Sequence, residues 1–191
     1  MSDVNADSAG EQGLADGGKS SRSRFTEIFL AELGRLKRIV AGMGFAGPDG
    51  EDILQDVSVQ ALRRAGEYRT ADEAVRWLMK VTVNRCVTEH RRRQRFFRKA
   101  PEILKRLPEA ERCSRGPDEK VIEAEEVEIV RETLLKLDGS LLAAMVLRYF
   151  CDLNSKEAGE VLGLNPSTVR SRLREGRMIL AKRLAQRGIE P

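Results

Sequence analysis

Apolar residues along the chain recur three and four positions apart, the spacing that gathers them on one face of an α-helix. Phe25, Ile28, Phe29, Leu33, Leu36, Ile39 and Val40 form the first such stripe and predict a helix ending near Gly42 or Gly44. Gly47-Pro48-Asp49-Gly50 reads as a turn, and Asp49 with Asp52 three residues on suggests a cap opening a second helix to about Ala65, stopped by Gly66. Ala74, Trp77, Leu78, Val81 and Val87 predict a third, long helix that runs into a cluster of arginines. The periodicity returns from Val121 through Val127, Val130, Leu134 and Leu137, breaks at Asp138-Gly139, and resumes with Leu141, Leu142, Met145, Val146 and Tyr149. Residues 1–23, rich in Gly, Ser, Asp and Ala, have almost nothing to bury and are predicted to be a disordered tail. A charged segment punctuated by Pro101, Pro108 and Gly116-Pro117 predicts a linker over residues 98–125. The expected fold is therefore all-α: two small helical domains, residues 24–97 and 126–187, joined by a flexible linker.

The second domain carries the sharpest local pattern. Asn154 with Glu157 three residues later is a capping pair, and Ala158, Val161 and Leu162 give the short helix behind it one apolar face. Gly163-Leu164-Asn165 is a turn in which Gly163 can adopt the left-handed conformation, Asn165 can cap the next helix, and Pro166 fits its first position. Two helices so closely connected form a helix-turn-helix. In the second of them Val169, Leu173, Leu180 and Leu184 face a core, leaving Ser167, Arg170, Ser171, Arg174 and Arg177 on a polar face. Arginines there can donate paired hydrogen bonds to guanine, and serines and the helix N-terminus can meet phosphates, so the face suits a DNA major groove.

Composition narrows the classes further. The 191 residues are 41% hydrophobic, 34% charged and only 5% aromatic, a balance suited to amphipathic helices. The net charge of +4 is modest, but its distribution is uneven. Arg85, Arg91, Arg92, Arg93, Arg95, Arg98 and Lys99 stand against Glu89 alone; Arg170, Arg172, Arg174, Arg177, Lys182, Arg183 and Arg187 stand against Glu175 alone; between these patches acids outnumber bases. Cys86, Cys113 and Cys151 are scattered, with only His90 to assist, so neither a zinc site nor a disulfide framework is indicated, and no metal or other cofactor is expected. His90 itself is given no role. No apolar run approaches the roughly 20 residues that span a bilayer, and no basic-then-apolar signal opens the chain, so a cytoplasmic protein without membrane insertion is expected.

Gly50-Glu51-Asp52-Ile53-Leu54-Gln55-Asp56-Val57, then Trp77-Leu78, then Asn84-Arg85 running into Arg91-Arg92-Arg93, resemble the first domain of bacterial extracytoplasmic-function (ECF) sigma factors. Ser167-Thr168-Val169-Arg170-Ser171-Arg172-Leu173 is similar to the second, in the same order. The resemblance implies a non-enzymatic initiation factor that binds core RNA polymerase and directs promoter recognition and melting. It places Asp52, Gln55 and Asp56 against the β′ clamp helices, and it threads the acidic linker toward the β subunit. It assigns a flipped base of the −10 element to the loop of residues 67–73, with Arg69, Thr70, Asn84, Arg85, Arg91 and Arg92 as −10 contacts. Ser167, Thr168, Arg170, Ser171, Arg174 and Arg177 would read the −35 element as duplex. Trp77 suits a core position and a base contact equally. An anti-sigma factor is an implied partner. Ala74, Thr88 and Ala158-Gly159 depart from the family's usual residues, and Gly159 is expected to weaken its helix, since glycine is a poor helix former.

Two other classes fit less well. A stand-alone helix-turn-helix regulator of the two-component type would need an α/β receiver pattern, which is not visible. A nuclease or other enzyme would need paired carboxylates with a histidine, a Ser-His-Asp set, or a phosphate-cradling glycine loop, and none is recognisable.

Overall fold

The computed structural model describes residues 17–64, 66–68, 70–99 and 120–188. Among the described residues there are seven α-helices and no strand: α1 Gly17–Gly42, α2 Gly47–Arg63, α3 Ala71–Lys99, α4 Lys120–Leu135, α5 Gly139–Tyr149, α6 Ser155–Leu162 and α7 Pro166–Ala185. The first helix begins inside the segment expected to be a tail, and residues 1–16 lie outside the described residues. Both ends of the expected linker are helical, at Lys99 and from Lys120, and residues 100–119 lie outside the described residues.

Helices α1 to α3 bury Phe25, Leu36, Ile39 and Val40 against Ile53, Val57 and Ala61 and against Ala74, Leu78 and Val83. Each large side chain so buried contributes about 1.5–3 kcal/mol by removal of apolar surface from water. The start of α2 differs from expectation. It springs from an extended Ala46 with no side-chain cap, and Pro48 lies in its first turn. Proline has no N–H to satisfy and holds the helical φ, so the end needs no Asx cap. Asp49 instead lies inside the helix and pairs with Arg93 of α3. Arg93 also donates to the Gly44 carbonyl at 3.4 Å and lies 4.4 Å above the Phe45 ring. One member of the arginine cluster is thus a fastener between α3 and the α1–α2 turn.

The apolar stripe read for α5 is narrower than the buried surface. Gly139 and every residue from Leu141 to Leu147 are buried, whereas Tyr149, counted in the stripe, is 52% exposed. A helix buried on all faces has neighbours on all sides, and α5 packs on α7 and α6 of its own domain and on α3 and α1 of the first. His90, given no role from sequence, is 6% exposed and sits at that junction. Its Nε2 is 3.1 Å from the Leu137 carbonyl, and the Gln94 amide donates to the same carbonyl at 2.9 Å. Arg38 Nε donates to the Phe150 carbonyl at 3.2 Å, and Arg76 faces Glu160 at 4.0 Å. The two domains share one continuous apolar core.

Candidate nucleic-acid interface

The helix-turn-helix is built by reciprocal capping and a glycine turn. Asn154 Oδ1 accepts from the Lys156 and Glu157 N–H groups at 2.9 and 3.1 Å, and Glu157 Oε2 accepts from the Asn154 N–H at 2.8 Å. Gly163 takes φ 68°, ψ 38°, a left-handed conformation that costs a side-chain-bearing residue energy. A Cβ on Gly159 would lie 2.6 Å from the Leu164 carbonyl oxygen, and the Leu164 N–H donates back to the Gly159 carbonyl at 2.9 Å. Gly159 is therefore the close-approach point of the turn, a duty that its low helix propensity alone does not reveal. Asn165 occupies the N-cap of α7 but makes no side-chain cap bond; Pro166 behind it makes that bond dispensable, as at α2.

In α7, Val169, Leu173, Gly176 and Leu184 are buried and Leu180 packs on the core. Ser167, Arg170, Ser171, Arg174 and Arg177 are exposed and Thr168 is half-buried. The five exposed residues line an open groove of about 660 Å³, to which the fold adds Arg148 from α5 and Asn154 and Ser155 from the start of α6. Sequence reading missed Arg148 and Ser155, because only the packing of α5 and α6 on α7 brings them there. Arg177 is partly turned back on its own helix, with Nε donating to the Leu173 carbonyl at 3.3 Å. With Tyr149 it also walls an adjoining apolar pocket of about 240 Å³. Among the described residues, none of Arg170, Arg174 or Arg177 forms an ion pair.

The first domain brings its candidates together differently. Asp52, Gln55 and Asp56 are exposed on one face of α2. Asp56, however, is paired with Arg85 of α3, whose Nε and Nη2 both approach Asp56 Oδ2 at 3.0 Å. Arg85 Nη1 also reaches Glu89 at 3.5 Å, and Glu89 holds Arg92 at 3.4 Å. Asn84, Arg91 and Arg92 are exposed. Thr70 has a structural duty the sequence did not suggest: its hydroxyl accepts from the Glu73 N–H, and its carbonyl from Ala74, each at 3.2 Å, so it caps α3. Arg69 lies outside the described residues. Trp77 is half-buried within an aromatic stack, 5.4 Å from Tyr68, which lies 5.4 Å from Phe25; the Arg64 guanidinium sits 5.8 Å over the indole. Burial pushes the Tyr68 phenol up to about 12. Burial likewise pushes the Cys86 thiol up to about 12, so it stays an inert core thiol. Among the described residues, no group of three or more His, Cys, Asp or Glu could hold a metal ion.

Comparison with known proteins resolves what these surfaces belong to. Residues 28–96 match the family model described as Sigma-70 region 2, and residues 128–180 match Sigma-70, region 4. The chain is an ECF sigma factor of the sigma-70 family. This sigma factor is 27% identical to the ECF RNA polymerase sigma factor SigM of Mycobacterium tuberculosis over 163 residues, 85% of this chain and 78% of SigM. It is 23% identical to SigW of Bacillus subtilis over 141 residues, 71% of this chain and 75% of SigW. The solved structure of CnrH in complex with the cytosolic domain of CnrY superposes with a TM-score of 0.59 at 20% identity, covering 89% of this chain and 96% of CnrH. The sigma factor RpoE in complex with the anti-sigma factor NepR from Bartonella quintana gives 0.60 at 18% identity, covering 85% and 97%. These superpositions establish the all-α, two-domain fold. The family consists of promoter-recognising initiation factors rather than enzymes, and among the described residues no helix is long and apolar enough to cross a membrane.

Proposed function

We propose that this sigma factor binds core RNA polymerase through Asp52, Gln55 and Asp56 on α2, grips the −35 element with α7, and captures the −10 strand with α3 and the loop before it. In α7, Arg170 and Arg174 read base edges, Ser167, Thr168 and Ser171 meet phosphates or bases, and Arg177 meets the backbone. In the first domain Asn84, Arg85, Arg91 and Arg92 hold the displaced strand electrostatically, and residues 67–73, which run from before the capping Thr70 into the first turn of α3 and include Arg69, accept the base. The linker, residues 98–125, leads toward the β subunit, and the excess of acids between Glu102 and Glu132 repels nucleic acid until displaced. An anti-sigma protein holds the factor inactive in the cytoplasm, as the complexes of CnrH with CnrY and of RpoE with NepR suggest by analogy.

The observation that supports this most is the row of exposed arginines on α7, Arg170, Arg174 and Arg177, free of ion pairs among the described residues, behind a turn built by reciprocal capping. A helix serving only as a core element would gain by pairing such charges, whereas a phosphate-binding face needs them open. Pull-down with core polymerase tests the reading. The full chain is expected to form a complex with core and to bind duplex promoter DNA weakly alone. Tight operator binding without any core complex would instead identify a stand-alone regulator.

A further inference from the structure

Two residues given separate duties above, Asp56 for polymerase and Arg85 for the −10 strand, are bonded to each other. We infer that this pair is an exchangeable contact which keeps Arg85 from DNA until the α2 face is docked. The inference rests on the roles proposed for both residues and adds the coupling between them.

Both strong donors of Arg85 converge on a single carboxylate oxygen of Asp56, at 3.0 Å, and its third nitrogen reaches Glu89 at 3.5 Å. Glu89 in turn holds Arg92. Asp56, Arg85, Glu89 and Arg92 therefore form a chain of alternating charge with no net excess, and two of the arginines assigned to the −10 strand are neutralised in the free protein. A phosphate approaching Arg85 meets a guanidinium already engaged and a carboxylate beside it.

The contact is built to be exchanged. The side chain of Asp56 is 52% exposed and that of Arg85 34%, so water and salt weaken their attraction, and pairs of this kind contribute about 0–1 kcal/mol. Arg93 shows the contrast: its pairing with Asp49 is reinforced by the Gly44 carbonyl and the Phe45 ring, which tie it to the fold. Arg85 has no such second anchor in α1 or α2 among the described residues. When a cationic polymerase surface meets Asp52, Gln55 and Asp56, the Asp56 carboxylate gains a second cation and its hold on Arg85 weakens. Arg85 can then turn its donors to a phosphate by side-chain rotation, with α2 and α3 staying packed. Docking on one helix would thus add a phosphate contact on the next.

The test is binding of the full chain to a mixed-sequence single-stranded DNA oligonucleotide over a range of salt concentrations, without polymerase. Asp56→Asn is expected to tighten binding about threefold, the effect of losing one exposed pair, and to steepen the salt dependence by about 0.7, the value of one more phosphate contact on a single strand. Arg85→Ala is expected to erase both changes. Glu51→Gln, which removes one exposed acid from the same helix without releasing an arginine, is expected to leave the slope unchanged. If Asp56→Asn tightens binding equally in the Arg85→Ala background, or Glu51→Gln matches it, the exchange is overturned while the −10 role of Arg85 stands. If Arg85→Ala does not weaken binding in either background, that role falls as well.

Discussion

Two basic helices of one sigma factor present their arginines in opposite states. On α7, Arg170 and Arg174 are exposed and make no ion pair among the described residues; on α3, Arg85 and Arg92 are bound up with Asp56 and Glu89, and Arg93 is fixed to Asp49 and the α1–α2 turn. Equal density of positive charge in the sequence therefore does not mean equal availability. A duplex-reading face works as a preformed template, because a helix in the major groove needs its donors already aimed. On the roles proposed for α3, a strand-capturing face is wanted only after polymerase is present, and acids that shield it would suppress non-specific binding to nucleic acid at low energetic cost.

The sharpest break between the two faces is the joint substitution Arg170→Ala with Arg174→Ala. Loss of two base contacts is expected to lower affinity for −35 duplex about 100-fold, at roughly 1–3 kcal/mol each. Core binding should be intact in a pull-down; loss of the core complex instead would contradict the assignment of α7. At the junction between domains, Gln94→Ala leaves the Leu137 carbonyl with His90 alone, an expected loss of about 1.5 kcal/mol, the upper end for one hydrogen bond, read from the urea midpoint. An unchanged midpoint would show that the contact of α3 with the α4–α5 turn does not hold the domains together.

A smaller effect concerns Asp138, which caps α5 by accepting from the Ser140 N–H at 2.8 Å. Asp138→Ala should cost about 1 kcal/mol at neutral pH. Hydrogen bonds from Ser140 hold this carboxyl below its ordinary value. Its stabilisation is thus present above the usual carboxylate range and is lost as pH falls through the lowered folded value. The wild-type and variant stabilities should converge in acid, and a difference that persists there would deny the cap. Smallest of all, Arg92→Ala is expected to weaken single-strand binding no more than about twofold, since Glu89 already offsets its charge. A tenfold loss in a filter-binding titration would mean that Arg92 is as open as Arg174.

Much of the scaffold was legible in the sequence. The capping pair Asn154 and Glu157, the left-handed Gly163 and the initiating Pro166 all stand where local chemistry put them, because each acts on backbone within four residues of itself. The cap at α2 was misread because Asp49 satisfies Asx statistics locally while its actual partner, Arg93, is 44 residues away. Thr70 gave no sign of its capping of α3, which its hydroxyl and carbonyl make besides the role the resemblance implies for it. His90 and Gln94 gave no signal, since their partner is a backbone carbonyl across the junction between domains. Arg148 and Ser155 joined the groove only through helix packing.

Helical periodicity, turn chemistry and the uneven placement of charge are local or one-dimensional properties, and the sequence by itself determined from them an all-α chain with a helix-turn-helix and two basic patches. Whether a given arginine is open, paired or built into the core depends on which acids and carbonyls lie beside it in space, and only the tertiary structure decided that. Coulombic attraction and hydrogen bonding act over a few ångströms between residues tens of positions apart, so Arg174 and Arg85, alike in the sequence, end as an open donor and a guarded one.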